Sequence, residues 1–203
     1  MTTVPEAIVI GGSAGALDAL QAILPALPRS FGLPVVVVLH VVPGRPSGLV
    51  NVLRSSSLLV VKEVEDKEPL VGGTIHVAPP SYHVLVEGDR TLALSVDEPV
   101  HFSRPSIDVL FESAVDVFGA GLVGVLLSGA NEDGARGLAK VKRAGGTTIV
   151  QAPATAPSRQ MPDSALRLFT PDHLLDASLI GPLLADTGHP HALPRLAAED
   201  RQP

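Results

Sequence analysis

Apolar residues cluster along the chain in two rhythms. Ala7-Ile8-Val9-Ile10 is a short run containing β-branched residues that stops at Gly11-Gly12, the pattern of a buried strand. Ala16, Leu20, Ile23 and Leu24 then recur three or four apart and predict a helix, which Pro25 and Pro28 end. Pro34 opens Val35-Val36-Val37-Val38-Leu39-His40, too uniformly apolar for a half-exposed strand, so both faces are expected to be buried as in a parallel sheet. The three segments make a strand-helix-strand unit.

Beyond the Pro43-Gly44-Arg45-Pro46 loop, the pattern predicts a short helix over Ser47 to Leu53. Alternating segments follow around Val60-Val64, Thr74-Ala78, Tyr82-Glu87 and Thr91-Ser95, with Gly88-Asp89 as a hairpin turn between the last two. Ser106 reads as the N-cap of a helix whose Ile107, Leu110, Phe111, Ala114 and Phe118 share one face. Val123 to Leu127 is a further buried strand. A helix is predicted over Asp133 to Ala144, with Lys140, Lys142 and Arg143 in its last turn and Gly145 beyond. Thr147 to Val150 is the next strand; a proline-containing loop from Ala152 to Pro162 leads to helices near Asp163–Leu168 and Ser178–Ala185. This alternation predicts an α/β fold, doubly wound, with a mostly parallel sheet, helices on both faces and an antiparallel hairpin addition. One domain over residues 1–186 is expected, with 187–203 a loose, polar, proline-containing tail.

Composition narrows the function. With 203 residues, 45% hydrophobic, and only five Phe and one Tyr, the core must be aliphatic. A net charge of -6 without Trp disfavours nucleic acid, which asks for a basic groove and stacking rings. The absence of Cys removes disulfides, thiolate zinc sites and a cysteine nucleophile. The N-terminus carries no basic region, and the longest apolar stretch, Val35 to Val42, is short and interrupted by His40, so no membrane insertion is expected and the chain reads as cytoplasmic.

Gly11-Gly12-Ser13-Ala14-Gly15 fits G-x-S-x-G and lies between a predicted strand and a predicted helix, the context in which a sharp turn lifts a serine hydroxyl beside free helix N–H groups. A tight Gly-rich turn is the plainer reading. His40 ends a buried strand, where open α/β sheets bind ligands, as a general base or as a satisfied core histidine. Asp133 follows another buried strand; it suits a carboxylate that orients an imidazole, or a simple helix cap. If they work together, the serine oxygen should lie within hydrogen-bond reach of the imidazole, about 2.6–3.2 Å, with looser geometry tolerated when no substrate is bound. The order Ser, His, Asp differs from the order in α/β-hydrolases. No metal-ligand spacing appears in the sequence.

Together, Ile-Gly-Gly-Ser-Ala-Gly (10–15), Leu39-His40, Ala78-Pro79-Pro80 with His83, Arg104-Pro105-Ser106-Ile107-Asp108-Val109-Leu110-Phe111, Gly124 to Gly129, Asp133-Gly134, Ala144-Gly145-Gly146 and Met161-Pro162 resemble the catalytic domain of the chemotaxis protein-glutamate methylesterase family, CheB. The resemblance runs from about Ala7 to Leu184. It implies Ser13 as nucleophile, His40 as general base, Asp133 as its orienting partner, and the N–H groups of Ala14 and Ala130 as oxyanion donors. It further implies hydrolysis of glutamyl methyl esters, and deamidation of glutamines, on cytoplasmic chemoreceptor helices without a cofactor.

The chain departs from the family at Ala14, where Thr is usual, and at Ala130 and Asn131, where Met and Gly are usual; backbone donors survive these changes. A catalytically weak module binding a receptor or signalling helix, or a hydrolase for another protein side chain, are the competing expectations. Because an acidic enzyme gains no steering toward an acidic helix, local cations should compensate: Arg45, Arg136, Arg159 and above all Arg104, the expected substrate contact. Family members generally carry a receiver domain first. Here the presumed catalytic strand starts within ten residues of Met1, so constitutive access is expected, with any control from a separate regulatory protein or from expression.

Overall fold

A computed structural model describes residues 4–40 and 48–187. A seven-stranded sheet contains β1 (Ala7–Gly12), β2 (Val35–Leu39), β3 (Val60–Glu63), β5 (Thr74–Val77), β8 (Leu122–Leu126), β9 (Thr147–Gln151) and β10 (His173–Leu175). Its order is β10-β9-β8-β1-β2-β5-β3, and every neighbouring pair is parallel. A separate three-stranded antiparallel sheet, β4-β7-β6, joins β4 (Glu68–Pro69) to the hairpin of β6 (His83–Val86) and β7 (Thr91–Ser95). The doubly wound parallel sheet with an antiparallel addition is thus the observed fold. The segments around 60–64 and 74–78, whose partners the sequence left open, form the parallel edge.

Alternation along the central strands builds two cores. Ile8 and Ile10 of β1, with Val35 and Val37 of β2, face α1 (Ala16–Ile23), α2 (Leu49–Ser55) and α6 (Ala177–Thr187). Ala7, Val9, Val36 and Val38 face α3 (Ile107–Phe118), α4 (Ala135–Arg143), α5 (Gln160–Leu168) and the antiparallel sheet. Burial of both faces explains the uniformly apolar strands: neither side can face water. A Cβ added at Gly11 would lie 2.1 Å from Ile107 Cγ2, so the missing side chain lets the start of α3 settle onto the end of β1.

Helix boundaries correct the sequence reading in one place that bears on the site. The predicted helix at Asp133 begins at Ala135, with Gly134 left-handed at φ 88° as its N-cap, so Asp133 lies outside the helix it was expected to open. Ser106 does cap α3, its Oγ accepting from Val109 N. The loop containing Arg45 lies outside the described residues, as does the proposed tail apart from Thr187, which ends α6. Among the described residues no helix is long and apolar enough to cross a membrane.

Candidate active site

Ser13 and His40 follow the carboxyl ends of adjacent strands, since Gly12 pairs with Leu39 in the parallel register of β1 and β2. Two backbone bonds fix this junction: His40 N–H donates to Gly12 O at 3.1 Å, and Ser13 N–H to Ser128 O at 2.9 Å, tying the turn after β1 to the chain leaving β8. Gly15, left-handed at φ 81°, then turns the chain into α1. A residue with a Cβ disfavours that conformation, which gives the small residues after Ser13 a mechanical purpose.

Asp133 arrives from the other side of β1, on the loop after β8, and is fully buried. Its Oδ2 is 2.8 Å from His40 Nε2 and accepts Ile107 N–H at 2.7 Å; its Oδ1 accepts Ser106 Oγ–H at 2.8 Å and Asp108 N–H at 3.0 Å. The carboxylate therefore sits on the N-terminus of α3, a helix far from it in sequence, and receives that helix's unpaired amides. Burial works to raise the Asp133 carboxyl. The His40 contact and the two amides outweigh it and hold the group below the ordinary carboxylate range. An ionised Asp133 makes His40 Nε2 the donor and leaves Nδ1 as the basic nitrogen of the neutral ring.

The anticipated hydrogen bond between Ser13 and His40 is not formed. Nδ1 faces the hydroxyl of Ser103 instead, at 3.3 Å. Ser103 also lies 3.5 Å from Asn131 Nδ2 and 3.4 Å from His101 O. The N–H groups of Ala14 and Ala130 take no hydrogen-bond acceptor among the described residues, while Ala14 O accepts Ser128 Oγ–H at 2.7 Å.

Arg104, the expected substrate contact, is tied to its own chain through Nη1. Its Nη1 donates to the carbonyls of Val96 and Asp97 at 2.6 and 3.0 Å, and its Nε is buried without a partner among the described residues, so the side chain fastens the segment leading into α3. Arg136 leans on His101 and Asp108, and Arg159 pairs with Asp163.

Another serine and histidine also meet near Asp133, in a different arrangement. Buried His83 accepts Ser106 N–H at Nδ1, 3.1 Å away, and its Nε2 is 3.2 Å from Glu98 O, so it braces the backbone and does not face the Ser106 hydroxyl. Asp108 is buried as well. Desolvation raises its carboxyl, against the Gly137 N–H that it accepts. His101, Asp108 and Asp133 present ligand atoms within 4.8 Å of one another, but Asp133 is saturated by protein donors and the Arg136 guanidinium already stands 3.5 Å from Asp108. A cation would meet an arginine there. Sequence reasoning singled out neither Ser103 nor the link from Ser106 to Asp133; the Ser-x-Pro-Ser spacing of Ser103-Arg104-Pro105-Ser106 is the only local sign of them.

Fold and site place the chain among α/β proteins that gather serine, histidine and aspartate at the carboxyl edge of a parallel sheet. Residues 8–184 match the CheB methylesterase family. The crystal structure of the Thermotoga maritima CheB methylesterase catalytic domain superposes with a TM-score of 0.85 at 32% identity, covering 91% of this chain and 99% of that one. A Leptospira interrogans protein whose name pairs glutamate methylesterase with glutamine glutaminase is 47% identical over 88% of this chain and 92% of its own. The Symbiobacterium thermophilum protein-glutamate methylesterase/protein-glutamine glutaminase is 39% identical over 79% of this chain, which spans only 44% of that relative. The chain belongs to the CheB methylesterase family.

Proposed function

We propose that the chain is a protein-glutamate methylesterase and glutamine deamidase, acting on methylated helices of chemoreceptors through Ser13, His40 and Asp133. The observation that carries this reading is the His40–Asp133 pair, 2.8 Å apart beside the strand end that presents Ser13. Asp133 holds the Nε2–H tautomer, so His40 Nδ1 takes the Ser13 proton as Oγ attacks the ester carbonyl. The amides of Ala14 and Ala130, which take no acceptor among the described residues, are suited to receive the oxyanion. Collapse of the tetrahedral intermediate returns that proton to the leaving group, to the methoxide oxygen to give methanol or to the amide nitrogen of a glutamine to give ammonia. Water activated by the same imidazole then releases glutamate and free Ser13.

Methanol release from methylated receptor by the purified chain tests the proposal. Wild-type protein should release methanol and Ser13→Ala should not, while melting at the same temperature. Equal release by both proteins overturns Ser13 as nucleophile; release by neither leaves a helix-binding module as the better reading.

A further inference from the structure

Ser103 stands where the proposed nucleophile must come. Its hydroxyl lies 3.3 Å from His40 Nδ1, the nitrogen left basic by the Asp133 contact at Nε2. A hydroxyl facing an unprotonated nitrogen donates to it, occupying the lone pair that would take the Ser13 proton. Holding the ring does not require Ser103: Asp133 grips Nε2 and is itself fixed by Ser106 Oγ and the amides of Ile107 and Asp108.

Ser103 is delivered by an unusual turn. Val100 and Ser103 exchange both backbone hydrogen bonds, at 3.1 and 2.8 Å, around His101 and Phe102, which are left-handed at φ 48° and 61°. Two consecutive positive φ values belong to type I′ turns, where Asn and Gly prevail; His and Phe are strained there, a feature that gathers at functional sites. Phe102 at the tip is 105% exposed, while its neighbour His101 meets Arg136, Asp108 and Glu132, so the turn is held from one side only. The Ser103 hydroxyl also has a second acceptor, His101 O at 3.4 Å, which it can reach by rotating its hydrogen alone.

We propose that Ser103 is a positioning residue that caps the His40 Nδ1 lone pair in the resting protein and restrains Ser13, until its hydroxyl turns to the His101 carbonyl. The inference rests on the catalytic reading of Ser13 and His40. Its consequence runs opposite to the usual loss on mutation, because removing the cap frees the base.

The test is the rate at which the intact chain is labelled by a small fluorophosphonate. In that reaction a bond forms between Ser13 Oγ and phosphorus, fluoride leaves, and the serine proton passes to His40 Nδ1. Ser103→Ala should label about fivefold faster, ~0.95 kcal/mol at 1.36 kcal/mol per tenfold, and Ser103→Thr, which keeps a hydroxyl, should return toward the slower rate. Nitrogen-15 NMR should show the His40 Nδ1 resonance moving toward that of an unbonded imine nitrogen in Ser103→Ala. Labelling of Ser103→Ala at the wild-type rate or slower, or an unmoved Nδ1 resonance, overturns the cap while leaving Ser13 and His40 standing. Label mapped by mass spectrometry to a residue other than Ser13 in wild-type protein overturns the catalytic reading and the cap with it.

Discussion

Replacing Asp133 separates what it does for the fold from what it does for His40. In Asp133→Ala the amides of Ile107 and Asp108 lose their acceptor, at residues only 0% and 2% exposed, and Ser106 Oγ–H loses one as well. An orphaned buried donor costs about 1–3 kcal/mol, so two amides amount to about 4 kcal/mol. At roughly 2–4 °C per kcal/mol for a chain of this size, thermal melting should fall by about 8–16 °C. Asp133→Asn divides the effects. Its Oδ1 can still accept from Ser106 and Asp108, but an amide NH2 in the Oδ2 position confronts Ile107 N–H and the Nε2–H of His40. The imidazole must then shift its proton to Nδ1, where it can no longer accept from Ser13. Fluorophosphonate labelling should slow by about 10³–10⁴, the scale of a tautomer defect in a serine triad, with a smaller loss of melting temperature than in the alanine variant. A melting point for Asp133→Ala within about 2 °C of the parent, or labelling of Asp133→Asn above a tenth of the parent rate, would refute this reasoning.

Three further outcomes are expected. Gly11→Ala drives a methyl group into Ile107 and should cost about 2 kcal/mol by overpacking, seen as a fall in the urea midpoint; an unchanged midpoint would mean that α3 yields freely. Asp108, its carboxyl raised by burial, favours folding fully below the ordinary carboxylate range and loses that contribution as pH rises through its elevated value, so the stability of Asp108→Asn relative to wild type should climb as pH rises above the ordinary carboxylate range; a pH-independent difference counts against it. Arg104→Ala releases the carbonyls of Val96 and Asp97 and should speed limited proteolysis between residues 96 and 104 severalfold, whereas unchanged cleavage would show that the segment is held elsewhere.

Legibility in the sequence followed the range of the interactions. β1, β2 and β8 announce themselves because burial on both faces demands apolar residues at every position, and Ser106 because a cap acts on its own helix. β4 and β10, of two and three residues, are too short to show any period. Asp133 is visible as a candidate but its setting is not: Asp-Gly before a run of helix formers looks like a cap, while its amide donors lie 25 and 26 residues earlier, on α3. Ser103 carries no signal beyond the Ser-x-Pro-Ser spacing, since its place is set by a left-handed turn made from residues that do not favour one.

The sheet order gives the three proposed catalytic residues a different significance. β1 lies between β8 and β2, so Asp133 and His40 approach Ser13 from opposite neighbours although one is far along the chain and the other near. Their order in the sequence records only which way the chain wound from the central strand. A motif search that prescribes that order would be sorting proteins by topology while believing that it sorted them by chemistry.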